Sequence, residues 1–375
     1  MIFEAVLGTM IVLLVLWEAF ETIILPRRVT RRFRLTRAYY VNTWRPWRAF
    51  ARRMKNPKSR ETFLSYFGPL SLLGLFAIWA ASLIIAFGLI YYSESRTDGF
   101  HPSLNTCIYL SGTTFFTLGL GDVTPHTGIE RFCAVLESGL GFGFLALVLS
   151  YLPVIYQAFS RREVNIVLLD ARAGSPPTAG ELLLRHAGPQ GKEALRNLLH
   201  DWERWSADLL ESHVSYPVVA YFRSQHSNES WLSALTAILD ASALLISGAD
   251  DECARQARLT FAMCRHTVVD LAQVFSAAPH SAGQDRLPPE GLDRLRSSLA
   301  TAGISLRQTP EATEKLTKLR AMYEPYVHAL AIHLYFSIPP WMVSESVSEN
   351  WKTSAWGRIS GLAISSQQTP GFDDH

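Results

Sequence analysis

From Thr62 to Ser93 the chain carries no charged side chain. A bilayer core takes roughly 20 apolar residues as a helix, and this run exceeds that need. It contains PLSLLGLFAIWAASLIIAFGLIYY and ends in Tyr91-Tyr92, an aromatic pair of the kind that marks a membrane interface. Two further stretches are candidate spans. Phe132 to Phe159 holds a single charge, Glu137. The N-terminal IFEAVLGTMIVLLVLWEAFETIIL is interrupted by Glu4, Glu18 and Glu21. It lacks the basic start and small-residue cleavage site of a secretory leader, so a retained transmembrane helix is expected. Glu18 and Glu21 lie one turn apart; burial beside an Arg or partial exposure near the cytoplasmic surface would each accommodate them.

Charge then orients these spans. Between Arg27 and Arg60 stand eleven Arg and two Lys with no acidic residue. With those 13 set aside, 22 basic residues face 33 acidic ones, a balance of −11. Basic residues are retained on the cytoplasmic side. Residues 27–62 are therefore expected inside, as a basic juxtamembrane segment, and the N-terminus outside after a first helix over 1–26. The 62–93 helix runs outward, the Glu94–Glu130 stretch is external or re-enters from outside, and the Phe132–Phe159 helix returns. The expected location is a cell membrane, crossed several times.

Residues 161–350 read as a soluble helical domain in the cytoplasm, followed by a polar tail over 351–375. Amphipathic patterns predict helices at Lys192–Leu210, Trp231–Ile246, Cys253–Phe275 and Thr313–Phe336. The uncharged Pro325–Val343 stretch is expected as a core helix ending at Pro339-Pro340. The four cysteines are scattered without metal or redox spacing and are expected as free thiols. No nucleophile and base stand in a known arrangement, and no dinucleotide-binding glycine pattern follows a strand, so no enzyme activity or organic cofactor is expected. No nucleic-acid partner is expected. The domain's ligand or partner is not legible.

The external stretch reads FHPSLNTCIYLSGTTFFTLGLGDVTPHTGIE. The apolar run Leu104–Phe116 is too short to cross a bilayer and meets two glycines at i and i+2, then Asp122 and Pro125. That pattern suits a half-length helix that dips in, stops, and returns as extended backbone. Irregular backbone at membrane depth is tolerated only where it lines a water- or ion-filled path. Gly119 and Gly121 permit positive φ, so carbonyls can turn to one side. With the Thr117 hydroxyl they would form oxygen rings that replace the hydration shell of a monovalent cation.

Thr117-Leu118-Gly119-Leu120-Gly121-Asp122 resembles the potassium-channel filter signature T-V-G-Y-G-D, and Thr113-Thr114 fall where that superfamily's pore helix ends. The resemblance spans about Phe63 to Ser160, and residues 63–160 are read as its pore domain: outer helix, pore helix, filter and inner helix. It implies K+ held at Thr117, Leu118, Gly119 and Leu120, with Gly121 completing the filter and Thr113, Thr114 and Asp122 supporting it. Leu120 departs from the usual Tyr or Phe, whose ring holds the filter's width; some tandem-pore relatives also carry G-L-G. The chain has one filter segment and the family's pore uses four, so a homotetramer is implied.

Aligned on the filter Asp, Gly141 falls at the family's inner-helix hinge, flanked by Gly139 and Gly143; a soft point and close helix packing through the Gly139/Gly143 small-residue pair are both expected. Phe142, Leu145 and Leu149 fall on the cavity side. Pro153 lies one turn on, where it would bend the helix, and Leu149 to Pro153 are expected as a hydrophobic gate. Arg28, Arg31, Arg34 and Arg37 recur every third residue, but the stretch is too polar to span a bilayer as a voltage sensor. Arg31, Arg32 and Arg34 are expected to face anionic lipid within 27–60, or to set topology alone. The expected fold is an all-α membrane protein: a potassium-channel-like pore domain, an extra N-terminal transmembrane helix and a C-terminal helical cytoplasmic domain. The expected function is a passive potassium-selective channel subunit. A weakly selective cation channel and a membrane-anchored scaffold with a non-conducting pore are the alternatives.

Overall fold

Helix α1 (Ile2–Ala19) shows how the apolar runs are used. Phe3, Val6, Met10, Leu13 and Trp17 recur along one face and are exposed, whereas Gly8, Val12 and Val15 are buried. Both faces are apolar, as a helix between lipid and protein requires. A π-helical turn, Phe20–Ile24, ends it. These observations come from a computed structural model, which describes residues 2–25, 34–95, 102–188, 190–225, 229–249, 252–281, 283 and 285–343. The chain divides into two compact units, Met1–Arg161 with Glu211–Arg223, and Arg162–Leu210 with Ser224–His375. The return of Glu211–Arg223 to the first unit lies inside the stretch expected to be cytoplasmic.

In the first unit α1 packs on α4 (Phe67–Ser95), where a methyl group on Gly8 would lie 2.5 Å from the Ala86 carbonyl. Glycine therefore sets the helix spacing. The basic segment forms α2 (Leu35–Arg53) and a short α3 (Pro57–Ser65), started by the Asn56 side chain accepting from Lys58 N and Ser59 N. α2 turns Trp44 and Trp47 toward the other helices of the unit, while Phe50 stays exposed. Trp44 meets Phe67 at 4.7 Å, and Trp47 stacks on Phe63 at 4.4 Å. Glu18 is fully buried in α1 and accepts from Leu35 N, Thr36 N and the Thr36 hydroxyl, so it caps the N-terminus of α2. Glu21 accepts from Trp17 Nε1 at 2.8 Å.

α5 (Leu104–Phe115) follows, and then α6 (Gly128–Ala173), which continues without a break past Ser160. The returning segment holds a 3-10 turn, Pro217–Tyr221, whose Val218 and Val219 join the core formed with α1, α4, α5 and α6. Tyr221 stacks on Tyr40 and meets Trp44 and Phe67 edge-on, while Tyr216 meets Tyr151 of α6.

The second unit contains α7 (Ala179–Arg185), most of α8 (Gly191–Ser215), α9 (Trp231–Gly248), α10 (Glu252–Val274), α11 (Pro289–Thr301), α12 (Pro310–Ala321) and α13 (Glu324–Leu334). Among the described residues four helical stretches are long and apolar enough to cross a membrane: Ile2–Ile24, Pro57–Ser95, Gly128–Ala173 and Trp231–Gly248. The last is entirely buried within its unit, as a core helix that is apolar all round must be. Its one carboxylate, Asp240, is fully buried and accepts from Arg286 and from the Tyr323 hydroxyl. The single helix expected over Thr313–Phe336 is instead two. α12 ends at Ala321 and α13 begins at Glu324. Pro325 lacks the N–H that would bond back to Ala321, and its ring clashes with that carbonyl, so the ladder breaks there. All four cysteines are free.

Candidate functional site

The half-length element forms as the sequence suggests. Ser103 caps α5 by accepting from Thr106 N at 3.2 Å, and at 1.5 Å per residue α5 is about 18 Å long, short of a bilayer core. It is held against α4 where Gly88 lets Ile108 approach; a methyl group on Gly88 would lie 2.8 Å from the Ile108 side chain.

Beyond Phe116 the backbone changes character. φ is positive at Thr117 (56°), Gly119 (57°) and Gly121 (79°), and the intervening Leu118 and Leu120 are not in that region. Such alternation is a backbone pattern that can turn successive carbonyls toward one side of the segment. Thr117 takes the left-handed region without being glycine, which costs of order 1–2 kcal/mol. Two contacts retain it: Thr117 N donates to Thr114 O at 3.0 Å and Leu118 N donates to Thr113 O at 2.8 Å. Thr113 is buried and its hydroxyl donates to Leu110 O. Thr113 and Thr114 thus seat the Thr117–Gly121 segment through their carbonyls. Leu118 and Leu120 have exposed side chains.

Asp122 is reached by the Tyr109 hydroxyl of α5. The loop after it is drawn together by the buried carboxylate of Glu130, which accepts from His126 N at 2.6 Å, Thr127 N at 3.1 Å and the Ser95 hydroxyl at the end of α4. Glu130 N in turn donates to Thr127 Oγ1 at 3.0 Å, a reciprocal cap that starts α6.

On α6, Gly141 is buried against the end of α5: a methyl group there would lie 2.0 Å from the Phe115 carbonyl oxygen. A methyl group on Gly139 or Gly143 meets nothing within 4 Å. Phe142, Leu145 and Leu149 are exposed by 55–70% in the single chain, and α6 continues through Pro153. The opposite face is filled, with Phe144 against Phe115 and Phe76. Glu137 is fully buried and accepts from Tyr91 O–H at 2.7 Å and contacts Ser111 of α5. Tyr91 is itself fully buried against α5 and α6, with its hydroxyl on that carboxylate. Arg34 stands at the N-cap of α2, half-buried; Arg31 and Arg32 lie outside the described residues.

Sequence reading did not find Tyr109, Ser111 or Glu130. Thr127 and Glu130 had the T-x-x-E spacing that announces a reciprocal cap; the other two had no local signal.

Residues 79–157 match the family model described as "Ion channel", which covers most of α4, all of α5, the Thr117–Gly121 segment and α6 as far as Gln157. The chain is 26% identical over 246 residues to the uncharacterized membrane protein YdjJ of Bacillus subtilis (strain 168), a match covering 63% of this chain and 69% of that one. It is 33% identical over 85 residues to protein LctB of Geobacillus stearothermophilus, which covers 19% of this chain and 63% of that one, under two thirds of its length. No solved structure gives a significant match.

Proposed function

We propose that this membrane protein, whose residues 79–157 form an ion-channel-family pore segment, conducts K+ passively as one subunit of a homotetramer. The observation that carries the reading is the alternating backbone of Thr117, Gly119 and Gly121 seated on the Thr113 carbonyl. One such strand offers a dehydrated cation too few oxygens; four around an axis provide rings of them. In this reading Thr117, Leu118, Gly119 and Leu120 hold the ion, and the exposed apolar face of Phe142, Leu145 and Leu149 lines the cavity. Leu149 to Pro153 close it by dewetting. Gly141, packed on α5, supports the filter rather than serving as a free hinge.

Purified full-length protein in vesicles tests this. K+ flux with a reversal potential following the K+ gradient is expected, with Gly119→Ala abolishing it, and the particle's mass should be that of four chains. Flux unchanged in Gly119→Ala, or a particle without fourfold order, refutes the proposal. Leu149→Ser is expected to raise open probability; no change in it or in Pro153→Ala places the gate elsewhere. A weakly selective cation pore is favoured by one feature, Leu120, which offers no ring to brace the filter; a reversal potential indifferent to exchanging K+ for Na+ would establish it.

The basic segment is proposed as cytoplasmic and lipid-facing. Arg48 on α2 is held below its ordinary range by burial and by the charges of Arg52 and Arg45, crowding that an anionic headgroup would relieve. Neutralising Arg31, Arg32 and Arg34 should weaken dependence of flux on anionic lipid. Equal flux of wild type in neutral vesicles would leave the segment with topology alone.

A further inference from the structure

Glu137 lies inside the first unit, fully buried on α6 about two and a half turns after its start at Gly128. Three oxygen contacts converge on it and its partner. The Tyr91 hydroxyl lies 2.7 Å from Glu137 Oε2, Ser111 Oγ contacts Glu137 Oε1, and Ser111 Oγ also lies 2.8 Å from the Ile84 carbonyl oxygen. The titratable groups around it, Tyr91, Cys133 and Glu130, bring no positive charge. Among the described residues no Lys, Arg or His forms an ion pair with it.

A count of protons decides its state. Each of the three contacts needs one proton, and a hydroxyl carries one. The Ile84 carbonyl can only accept, so the Ser111 proton goes there. The Tyr91 proton goes to Oε2. The contact between Ser111 Oγ and Glu137 Oε1 then has none unless the carboxyl itself supplies it. An ionised Glu137 would leave two lone pairs facing each other in a dry interior, beside an uncompensated buried charge.

We propose that Glu137 is a positioning residue for the filter and acts as a neutral carboxylic acid, donating from Oε1 to Ser111 while accepting at Oε2 from Tyr91. The network ties three elements together: Tyr91 and Ile84 on α4, Ser111 on α5, and Glu137 on α6. Ser111 stands two residues before Thr113, whose carbonyl receives Leu118 N and Gly119 N. The pore helix is thereby fixed to both neighbouring helices one half-turn before the point that seats the ion-lining backbone. This role rests on the pore reading; the protonation state does not.

The two acid states make opposite predictions for substitution. A Gln amide nitrogen donates where the acid donates, and its oxygen accepts where the acid accepts, so Glu137→Gln should restore what Glu137→Ala loses. Wild type, E137Q, E137A and S111A, each as full-length protein in phosphatidylethanolamine–phosphatidylglycerol vesicles, would be compared by K+ flux, reversal potential and infrared spectroscopy at neutral pH. The expected result is a carboxylic-acid C=O band in wild type that is missing from E137Q. Flux and selectivity of E137Q should match wild type, while E137A and S111A lose roughly tenfold in flux, as unpaired buried hydrogen-bonding groups would cause. The proposal is overturned if E137Q is as impaired as E137A, if no acid band disappears in E137Q, or if E137A keeps full flux and selectivity. Should wild type itself pass no cation, the pore reading fails. The acid band, with E137Q melting as wild type and E137A below it, would still uphold the neutral acid; an unchanged spectrum would reject it.

Discussion

Replacing Gly141 by Ala puts one methyl group where the chain leaves no room. The added carbon would sit 2.0 Å from the Phe115 carbonyl oxygen, 2.9 Å from its carbon and 3.1 Å from its Cα. The obstacle is backbone at the end of α5, so no rotamer change removes it. Restoring even 3.0 Å requires a movement of about 1 Å between α5 and α6. Overpacking of this kind costs typically about 1–3 kcal/mol, whereas exchanging Gly for Ala within a helix returns about 1 kcal/mol. The net loss is then about 0–2 kcal/mol, and an obstacle made of backbone favours the upper part of that range. The movement falls two residues before Thr117, so the filter is expected to loosen with it. Gly139→Ala and Gly143→Ala are the controls, since their methyl groups meet nothing in the chain. Thermal melting of the solubilised protein and reversal potentials in mixed K+ and Na+ give the two readouts. Gly141→Ala should melt lowest of the three and shift its reversal potential toward that of Na+. If it melts at or above wild type with unchanged selectivity, the close approach does not exist, and Gly141 serves the helix as a flexible point only.

Three further perturbations probe other parts of the chain. Glu18→Ala leaves Leu35 N, Thr36 N and the Thr36 hydroxyl without their carboxylate; loss of this cap should cost about 1–2 kcal/mol, read as faster proteolysis within α2. Asp240→Ala removes the two-oxygen partner of Arg286, whose side chain is 9% exposed and keeps only Glu324 and the Pro339 carbonyl of the acceptors described for it. Breaking such a buried pair costs about 3–5 kcal/mol, measured as a drop in the second unit's denaturation midpoint; Asp240→Asn should fall less. Burial lowers the pKa of His186 and of His328, opposed in His186 by the Leu182 carbonyl bond. A depressed folded value means that the unfolded chain binds protons first, so stability is complete above about pH 6.5 and declines as pH falls through the lower folded values. Melting between neutral and mildly acid pH checks this, and a slope unaltered in the His186→Gln, His328→Gln double variant would refute it.

The features that could be read from sequence were local ones. A dearth of charge acts within a few residues and located the long apolar helices, and the glycines at 119 and 121 marked where the backbone takes positive φ. The positive φ of Thr117 had no such sign, because it depends on carbonyls of Thr113 and Thr114 that are free only once α5 has ended. Partners of Glu137 lie 46 and 26 residues away, in Tyr91 and Ser111; nothing in their own neighbourhoods marks them. Arg161 and Arg162 end the uncharged run that follows Glu137, but no helix breaker stands there, so α6 runs on to Ala173. The break before Pro325 was passed over in favour of the apolar periodicity on either side of it, although the residue that causes it is in plain view.

The return of Glu211–Arg223 to the first unit bears on modularity. Val218, Val219 and Tyr221 fill the space between α2, α4 and α6, although nearly fifty residues of the second unit intervene. A gene fragment stopping at residue 160 would encode every membrane helix of the first unit yet omit part of its interior, leaving Trp44, Phe67 and Tyr151 facing a void. This pore is therefore not a contiguous cassette to be swapped between proteins; a graft would have to bring two separate stretches of chain.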